Sequence, residues 1–262
     1  MRKAVSCVLV ASLGVVLAVP AEAAMKKTRN ANKLAKTFTW KRHLDHGAFS
    51  VLPPDSKPAA ISSTNLANFP TAGNRFAILS NGNSLFARRP NLSESTSFKT
   101  RGPIIRGTRD LIIHRITVDV PKKANCLMFD FKFLSEEFPE FVDSEFNDAF
   151  VAELNPSTWF SEREDPAVDS PRNFARGSRG NPIRVNSIGG TGRVSRKYAK
   201  GTTYDASTRT LRAATRVEGG TKRALYLSIF DQGDRQYDSA VFIDRLRLKR
   251  SENCRTGRVV GQ

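Results

Sequence analysis

Residues 127–134 read LMFDFKFL, and this run decides the fold class. Phe129, Phe131 and Phe133 alternate with Asp130 and Lys132. Since successive side chains of a strand point to opposite faces, the pattern puts the aromatic rings together on one face. The run therefore predicts a β-strand whose aromatic face lies in a hydrophobic core.

Other short apolar runs of the same kind follow along the chain, separated by Gly, Pro, Asn and Ser. They span residues 75–79, 111–120, 149–154, 224–230 and 240–248. No segment keeps helical periodicity with helix caps over about twelve residues. Short strands between such turns indicate an all-β fold, an antiparallel, jelly-roll-like β-sandwich, and not a parallel α/β sheet.

The first 23 residues have the layout of a secretory signal peptide. Arg2 and Lys3 precede an apolar run over 4–19, and residues 21–23 form a small-x-small cleavage site. The apolar run is short for a membrane span, although an uncleaved N-terminal anchor is the alternative. We therefore expect a secreted, extracellular protein with no transmembrane segment after cleavage and no C-terminal anchor.

Cleavage removes Cys7 and leaves Cys126 and Cys254. In an oxidising compartment two cysteines are expected to pair, and the alternative is two unpaired buried thiols. A bridge would tie the C-terminal tail, residues 251–262, to the start of a strand. In the chain-entropy model so long a closed loop contributes roughly 4–5 kcal/mol.

The remaining chain is expected to divide into a basic N-terminal segment and one domain. Residues 24–42 carry seven basic residues and no acidic one, which predicts a flexible basic arm. Residues 43–250 are expected to form one β-sandwich domain, with the Gly- and Arg-rich stretch 176–201 in long loops or edge strands.

The charge of the chain is strongly uneven. The formal net charge is +17 over 262 residues, yet residues 130–170 contain twelve acidic and two basic side chains. That acidic island is −10, so the rest of the mature chain is +26. Its densest part, residues 135–148, directly follows an apolar strand, and a second acidic loop, residues 231–239, follows another. Strand ends are common places for functional sites.

Three interpretations of the acidic loops stay open. They are solvated loops neutralised by arginines, a calcium site, or a carboxylate pair such as Glu137 and Asp148 for glycoside hydrolysis. Calcium takes six to eight oxygen ligands without His or Cys, and a cation relieves the repulsion between clustered carboxylates. The candidate calcium ligands are Glu136, Glu137, Asn147, Asp148, Asp231, Asp234 and Asp238. Asp244, inside the last strand, is expected instead to orient a turn or accept backbone hydrogen bonds.

The same two loops carry a resemblance. Two parts of the chain resemble signatures of the choice-of-anchor L domain family. The first part is residues 131–142 (FKFLSEEFPEFV) with 146–150 (FNDAF), and the second is residues 228–234 (SIFDQGD) with 237–244 (YDSAVFID). The resemblance covers roughly residues 70–250. It implies an extracellular bacterial β-sandwich without established catalytic activity, usually joined to a cell-surface anchor. Residues 241–244 are also similar to the last strand of jelly-roll carbohydrate-binding modules, which often hold a structural calcium.

Together these observations predict a secreted, non-catalytic β-sandwich. Its acidic loops would form a calcium-supported site used in recognition of an extracellular glycan or surface polymer. Two alternatives remain. One is a cationic protein that binds polyanions through residues 24–42 and the Arg-rich stretches of 172–216. The other is a secreted glycoside hydrolase with paired carboxylates.

Overall fold

The computed structural model describes residues 24–54, 57–91, 102–161, 168–177, 180–189, 194–257 and 259–261. The expected signal peptide, residues 1–23, lies outside this part and stays a prediction. The strands are β1 (Met25–Lys27), β2 (Leu44–Val51), β3 (Ala59–Ser62), β4 (Phe76–Ser80), β5 (Arg109–Asp119), β6 (Cys126–Ser135), β7 (Ala149–Leu154), β8 (Phe160–Ser161), β9 (Val168–Asp169), β10 (Ile183–Arg184), β11 (Val194–Ser195), β12 (Ala206–Thr208), β13 (Leu211–Arg216), β14 (Lys222–Asp231), β15 (Ser239–Lys249) and β16 (Val260–Gly261). The α-helices are α1 (Ala31–Phe38) and α2 (Val185–Gly189), and 3-10 turns cover Lys41–His43, Ser84–Arg88 and Arg196–Ala199.

Two antiparallel sheets make up most of the described part. The larger sheet has the order β1-β3-β4-β15-β6-β12-β11, with β13 also paired to β6 and β16 to β13. The second has the order β10-β7-β14-β5-β2, and β8 and β9 form a separate hairpin. The sequence prediction of an all-β antiparallel sandwich is confirmed.

The core lies between the two sheets, where the aromatic face of β6 was expected. Phe131 of the larger sheet packs against Phe150 of the second, with ring centroids 5.1 Å apart. Phe129 and Phe133 belong to the same buried cluster. On the opposite face of β6, buried Asp130 forms ion pairs of 2.8 Å with both Arg212 and Arg245. The alternation in the sequence therefore separates the apolar core from a buried ionic layer.

Residues 24–42 fold onto the sandwich, so the expectation of a flexible basic arm is wrong. Strand β1 pairs with β3, and α1 packs against strands of both sheets. The buried residues of α1, spaced as one helical face, are Ala31, Leu34, Ala35 and Phe38. The side chain of Asn30 caps the helix by accepting a 2.8 Å hydrogen bond from the N–H of Lys33. The high basic charge of the segment concealed this short apolar stripe.

A disulfide fixes the C-terminal segment to the larger sheet. The predicted disulfide between Cys126 and Cys254 is present, and it ties the C-terminal segment to the first residue of β6. Among the described residues, no helix has the length and apolar character needed to cross a membrane.

Candidate functional site

The two acidic loops meet at one end of the sandwich. The first connects β6 to β7, and the second connects β14 to β15. Backbone hydrogen bonds join the loops: the N–H of Glu136 donates to the carbonyl of Asp238 at 3.3 Å, and the N–H of Asn147 donates to the carbonyl of Gln232 at 3.1 Å. Residues about ninety positions apart in the sequence therefore form one structural unit.

A third segment, which the sequence analysis missed, completes this unit. Asn81, directly after β4, donates a 2.7 Å hydrogen bond from Nδ2 to Oδ2 of Asp148. Its Oδ1 accepts a 2.7 Å hydrogen bond from the N–H of Ser239. The signal was the Asn-Gly-Asn run at 81–83, which follows an apolar strand just as the acidic loops do.

At the centre lie three buried carboxyl groups, those of Glu137, Asp148 and Asp231. Their exposed fractions are 1%, 0% and 2%. The N–H of Asp148 donates a 3.0 Å hydrogen bond to Oε2 of Glu137. Glu137 Oε1, Asp148 Oδ1 and Asp231 Oδ1 are each buried without a hydrogen-bond partner among the described residues. Buried acceptors of this kind are costly unless a proton or a cation satisfies them.

The electrostatics of the cluster also favour a bound proton or cation. Burial raises the pKa of Glu137 well above its usual range, and the charge of Asp148 raises it further. Burial is also the main reason that the pKa of Asp148 is raised. The side chains of Ser239 and Asn81 lower this pKa in part, and the charges of Asp238 and Asp234 raise it further. Asp231 follows the same pattern: burial first raises its pKa, then the charges of Asp148 and Glu137. The group as a whole favours added positive charge.

Glu136 and Asp238 lie beside this centre and face Tyr204. Glu136 accepts a hydrogen bond from the Thr203 hydroxyl at 3.3 Å. Burial raises the pKa of Tyr204 well above its usual range, and the charges of Glu136 and Asp238 add to this effect. The carboxylate of Asp238 packs directly on Gly82, where a Cβ atom would lie 1.7 Å from Oδ2.

The remaining two candidate ligands have other contacts. Asn147 is fully buried; its Nδ2 donates to Gln232 Oε1 at 3.3 Å and its Oδ1 accepts from the N–H of Asn186 at 2.9 Å. Asp234 is partly exposed and accepts a 2.9 Å hydrogen bond from the N–H of Gln236. Its charge nonetheless raises the pKa of each of the three central carboxyl groups.

The seven candidate ligands thus fall into a central group and a surrounding group. Glu137, Asp148 and Asp231 form the centre, with Asp234 at its partly exposed side. Within the described ranges, no three Asp, Glu, His or Cys side chains are arranged to hold a metal ion as they stand. The unpartnered oxygens fit a hard cation in chemical type, and binding one would require the side chains to draw closer.

The burial of the central carboxyl groups tests two interpretations of the acidic loops, the solvated loop and the hydrolase pair. A solvated acidic loop is wrong for the central residues, because their side chains are inside the protein. Glu137 and Asp148 are adjacent, as a hydrolase pair requires, but both are covered. A glycosidic bond has no access between them, since the catalytic carboxyl groups must flank the bond that is cleaved.

Asp244 has a different environment from the acidic cluster. Its Oδ2 accepts hydrogen bonds of 2.7 Å from the backbone N–H groups of both Thr71 and Ala72. Its Oδ1 accepts from the N–H of Arg245 at 2.6 Å. Asp244 therefore orients the turn after residue 70, the role that the sequence analysis assigned to it.

The fold and its paired acidic loops define an antiparallel β-sandwich domain. The chain belongs to the choice-of-anchor L domain family, whose model matches residues 57–248. No curated protein sequence matches the chain significantly.

Several solved structures are similar at low identity. TmCBM61, in complex with β-1,4-galactotriose, has 11% identity and a TM-score of 0.32, covering 86% of this chain and all of its own. TmCBM27, a carbohydrate-binding module that recognises mannan, has 13% identity and a TM-score of 0.29, covering 88% and 100%. The K2 adhesin domain of Lys-gingipain has 10% identity and a TM-score of 0.30, covering 78% and 89%.

Proposed function

We propose that this chain is a secreted, non-catalytic recognition domain whose acidic cluster binds calcium. The calcium site would fix the two acidic loops, and the domain would recognise an extracellular glycan or surface polymer. The observation that supports the calcium site most directly is the set of three buried carboxyl groups, Glu137, Asp148 and Asp231, each with an unpartnered oxygen.

A cation is the simplest way to satisfy this cluster at neutral pH. The unpartnered atoms are all acceptors, so a further acceptor or an apolar group would not help them. Calcium is favoured over magnesium because it tolerates irregular oxygen geometry, whereas magnesium requires a near-ideal octahedron. Glu137, Asp148 and Asp231 would hold the ion, with Asp234 on the partly exposed side of the site.

The proposed extracellular role is supported by the chemistry of the chain. The disulfide Cys126–Cys254 is typical of an oxidising compartment. The family that the chain belongs to consists of extracellular domains. The proposed recognition of an extracellular glycan or surface polymer rests on this extracellular setting.

Calorimetry on metal-stripped protein tests the calcium site. We expect saturable calcium binding by the wild type and none by Asp148→Asn. Glu140→Gln is the matched control, because Glu140 carries the same charge in the same loop but is exposed. Equal calcium binding by Asp148→Asn, or none by the wild type, would refute the calcium site.

A second candidate function, binding of polyanions, has one specific observation in its favour. A depression of about 550 Å³ is lined by four basic residues, Arg88, Arg89, Arg196 and Lys200. Retention on heparin beyond about 0.2 M salt, weakened by changing these residues to glutamine, would support a specific polyanion site. Elution below that salt concentration would indicate only non-specific attraction.

A further inference from the structure

A second concavity lies on the outer face of the five-stranded sheet. Its volume is about 590 Å³, and its lining includes His46, Arg115, Thr117 and Tyr226. Tyr226 precedes Asp231 by five residues on β14, which is about 16 Å along a strand. The concavity is therefore separate from the acidic cluster, which lies at the other end of the same strand.

The strand register explains why these side chains share one face. Tyr226 of β14 lies opposite Arg115 of β5, and Thr117 lies opposite His46 of β2. Ile116, between Arg115 and Thr117, points the other way and is fully buried in the core. Alternation along β5 thus places polar residues on the outer face of the sheet.

Most charges around the concavity are compensated. Lys222 forms ion pairs of 3.0 Å with Asp45 and with Asp119. Arg223 forms an ion pair of 2.9 Å with Glu218. Arg115 differs, because its guanidinium has no ion pair or hydrogen bond with the described residues, and its Nε is buried without a partner. The concavity therefore contains one unused set of cationic donors.

The guanidinium donors of Arg115 belong to a residue that lies directly opposite Tyr226 in the sheet. A guanidinium presents planar, forked N–H groups that match a carboxylate in a bidentate manner. The ring of Tyr226, directly across from Arg115 and only partly buried, offers an apolar surface next to this fork. The Thr117 hydroxyl adds a polar group that lies within 3.4 Å of His46 Nε2. A ligand with a carboxylate, an apolar ring face and hydroxyl groups matches all three features.

We propose that this concavity binds a uronic acid residue of an acidic glycan. The sugar carboxylate pairs with Arg115, and the ring packs against Tyr226. This proposal rests on the proposed role in glycan recognition, and it names the class of glycan and the surface that binds it. It does not depend on calcium, because the two sites are separate.

Titration calorimetry with oligogalacturonate tests the proposal. The buffer contains EDTA and 0.15 M NaCl, and the temperature is below the melting point of the calcium-free protein. We expect saturable binding by the wild type, at least tenfold weaker binding by Arg115→Gln, and weaker binding by Tyr226→Ala. Arg75→Gln is the control for a general change in charge, because Arg75 is exposed and is not among the residues that line either depression. The same oligomer with its carboxyl groups reduced should not bind.

The other outcomes are distinguishable. Binding of oligogalacturonate that is unchanged in Arg115→Gln would overturn the proposal, and so would equal binding of the reduced oligomer. Binding of neutral oligosaccharides alone would overturn the choice of an acidic sugar but leave glycan recognition standing. Failure of every oligosaccharide to bind would overturn both. The circular dichroism spectrum of Arg115→Gln and its cooperative thermal unfolding, both measured in the same EDTA buffer, should match those of the wild type. This match shows that the variant is folded, whether or not the protein binds calcium.

Discussion

The backbone N–H of Asp148 donates a 3.0 Å hydrogen bond to Oε2 of Glu137, so two buried acidic side chains lie close together at one end of the sandwich. Oε1 of Glu137 and Oδ1 of Asp148 have no partner among the described residues. Burial, followed by the charge of Asp148, raises the pKa of Glu137. This arrangement is unfavourable at neutral pH without added positive charge.

Asp148→Asn should stabilise the calcium-free protein. The amide removes one buried negative charge, and its oxygen can still accept the hydrogen bond from Asn81. We expect the melting temperature in EDTA to rise by at least about 2 °C, or about 1 kcal/mol for a chain of this size. Differential scanning calorimetry measures this, with Glu140→Gln as the control. A lower melting temperature for Asp148→Asn would mean that the charge is already compensated.

Gly82→Ala should destabilise the protein through Asp238. An added Cβ at Gly82 would lie 1.7 Å from Asp238 Oδ2, so the carboxylate would have to leave its site. Overpacking of this kind costs roughly 1–3 kcal/mol. Gly261→Ala is the matched control, because a Cβ there meets nothing within 4 Å. Urea unfolding of both variants provides the comparison, and equal free energies of unfolding would contradict the close approach of Asp238.

Removal of the disulfide should lower the free energy of unfolding substantially. Cys126 and Cys254 are separated by 128 positions in the sequence, and a closed loop of this length contributes roughly 4–5 kcal/mol in the chain-entropy model. The double variant Cys126→Ala/Cys254→Ala, compared with wild type in urea, measures the effect. A reductant should weaken the wild type and leave the double variant unchanged. A loss below about 1 kcal/mol would contradict the chain-entropy prediction.

His114 should make stability depend on pH. Its Nε2–H donates a 3.0 Å hydrogen bond to the carbonyl of Ala31 in α1. Burial lowers the pKa of His114 from 6.5 to about 4, so the folded protein favours the neutral ring. The contribution of the neutral His114 ring to the free energy of unfolding is complete above about pH 6.5. This contribution is lost as the pH falls towards 4, and the loss reaches about 3 kcal/mol.

The matched variant for this test is His114→Gln, whose amide can donate to the same carbonyl but does not titrate. We expect the wild type to lose more stability than His114→Gln between pH 7 and pH 4, measured by urea unfolding at each pH. Parallel pH profiles for the two proteins would contradict the assignment.

The alternation of residues 127–134 predicted strand β6 and its aromatic core, and the other short apolar runs between turns predicted the sandwich. The disulfide was predicted from Cys126 and Cys254, the two cysteines that lie outside the expected signal peptide. The burial of Glu137 and Asp148 was not visible in the sequence, because charged runs usually face solvent. Their surroundings are created by Asn81 and Gly82, more than fifty positions earlier, and no local pattern connects these segments. Helix α1 was missed because its short apolar stripe lies among seven basic residues.

Thermal unfolding of the metal-stripped wild type, with EDTA or with millimolar calcium, tests the central proposal most directly. A ligand that binds only the folded state stabilises it, by about 2.7 kcal/mol at one hundred times its dissociation constant. For a domain of this size we expect calcium to raise the melting temperature by about 5–10 °C, and magnesium to raise it less. A melting temperature that is the same in EDTA and in calcium would contradict the calcium site.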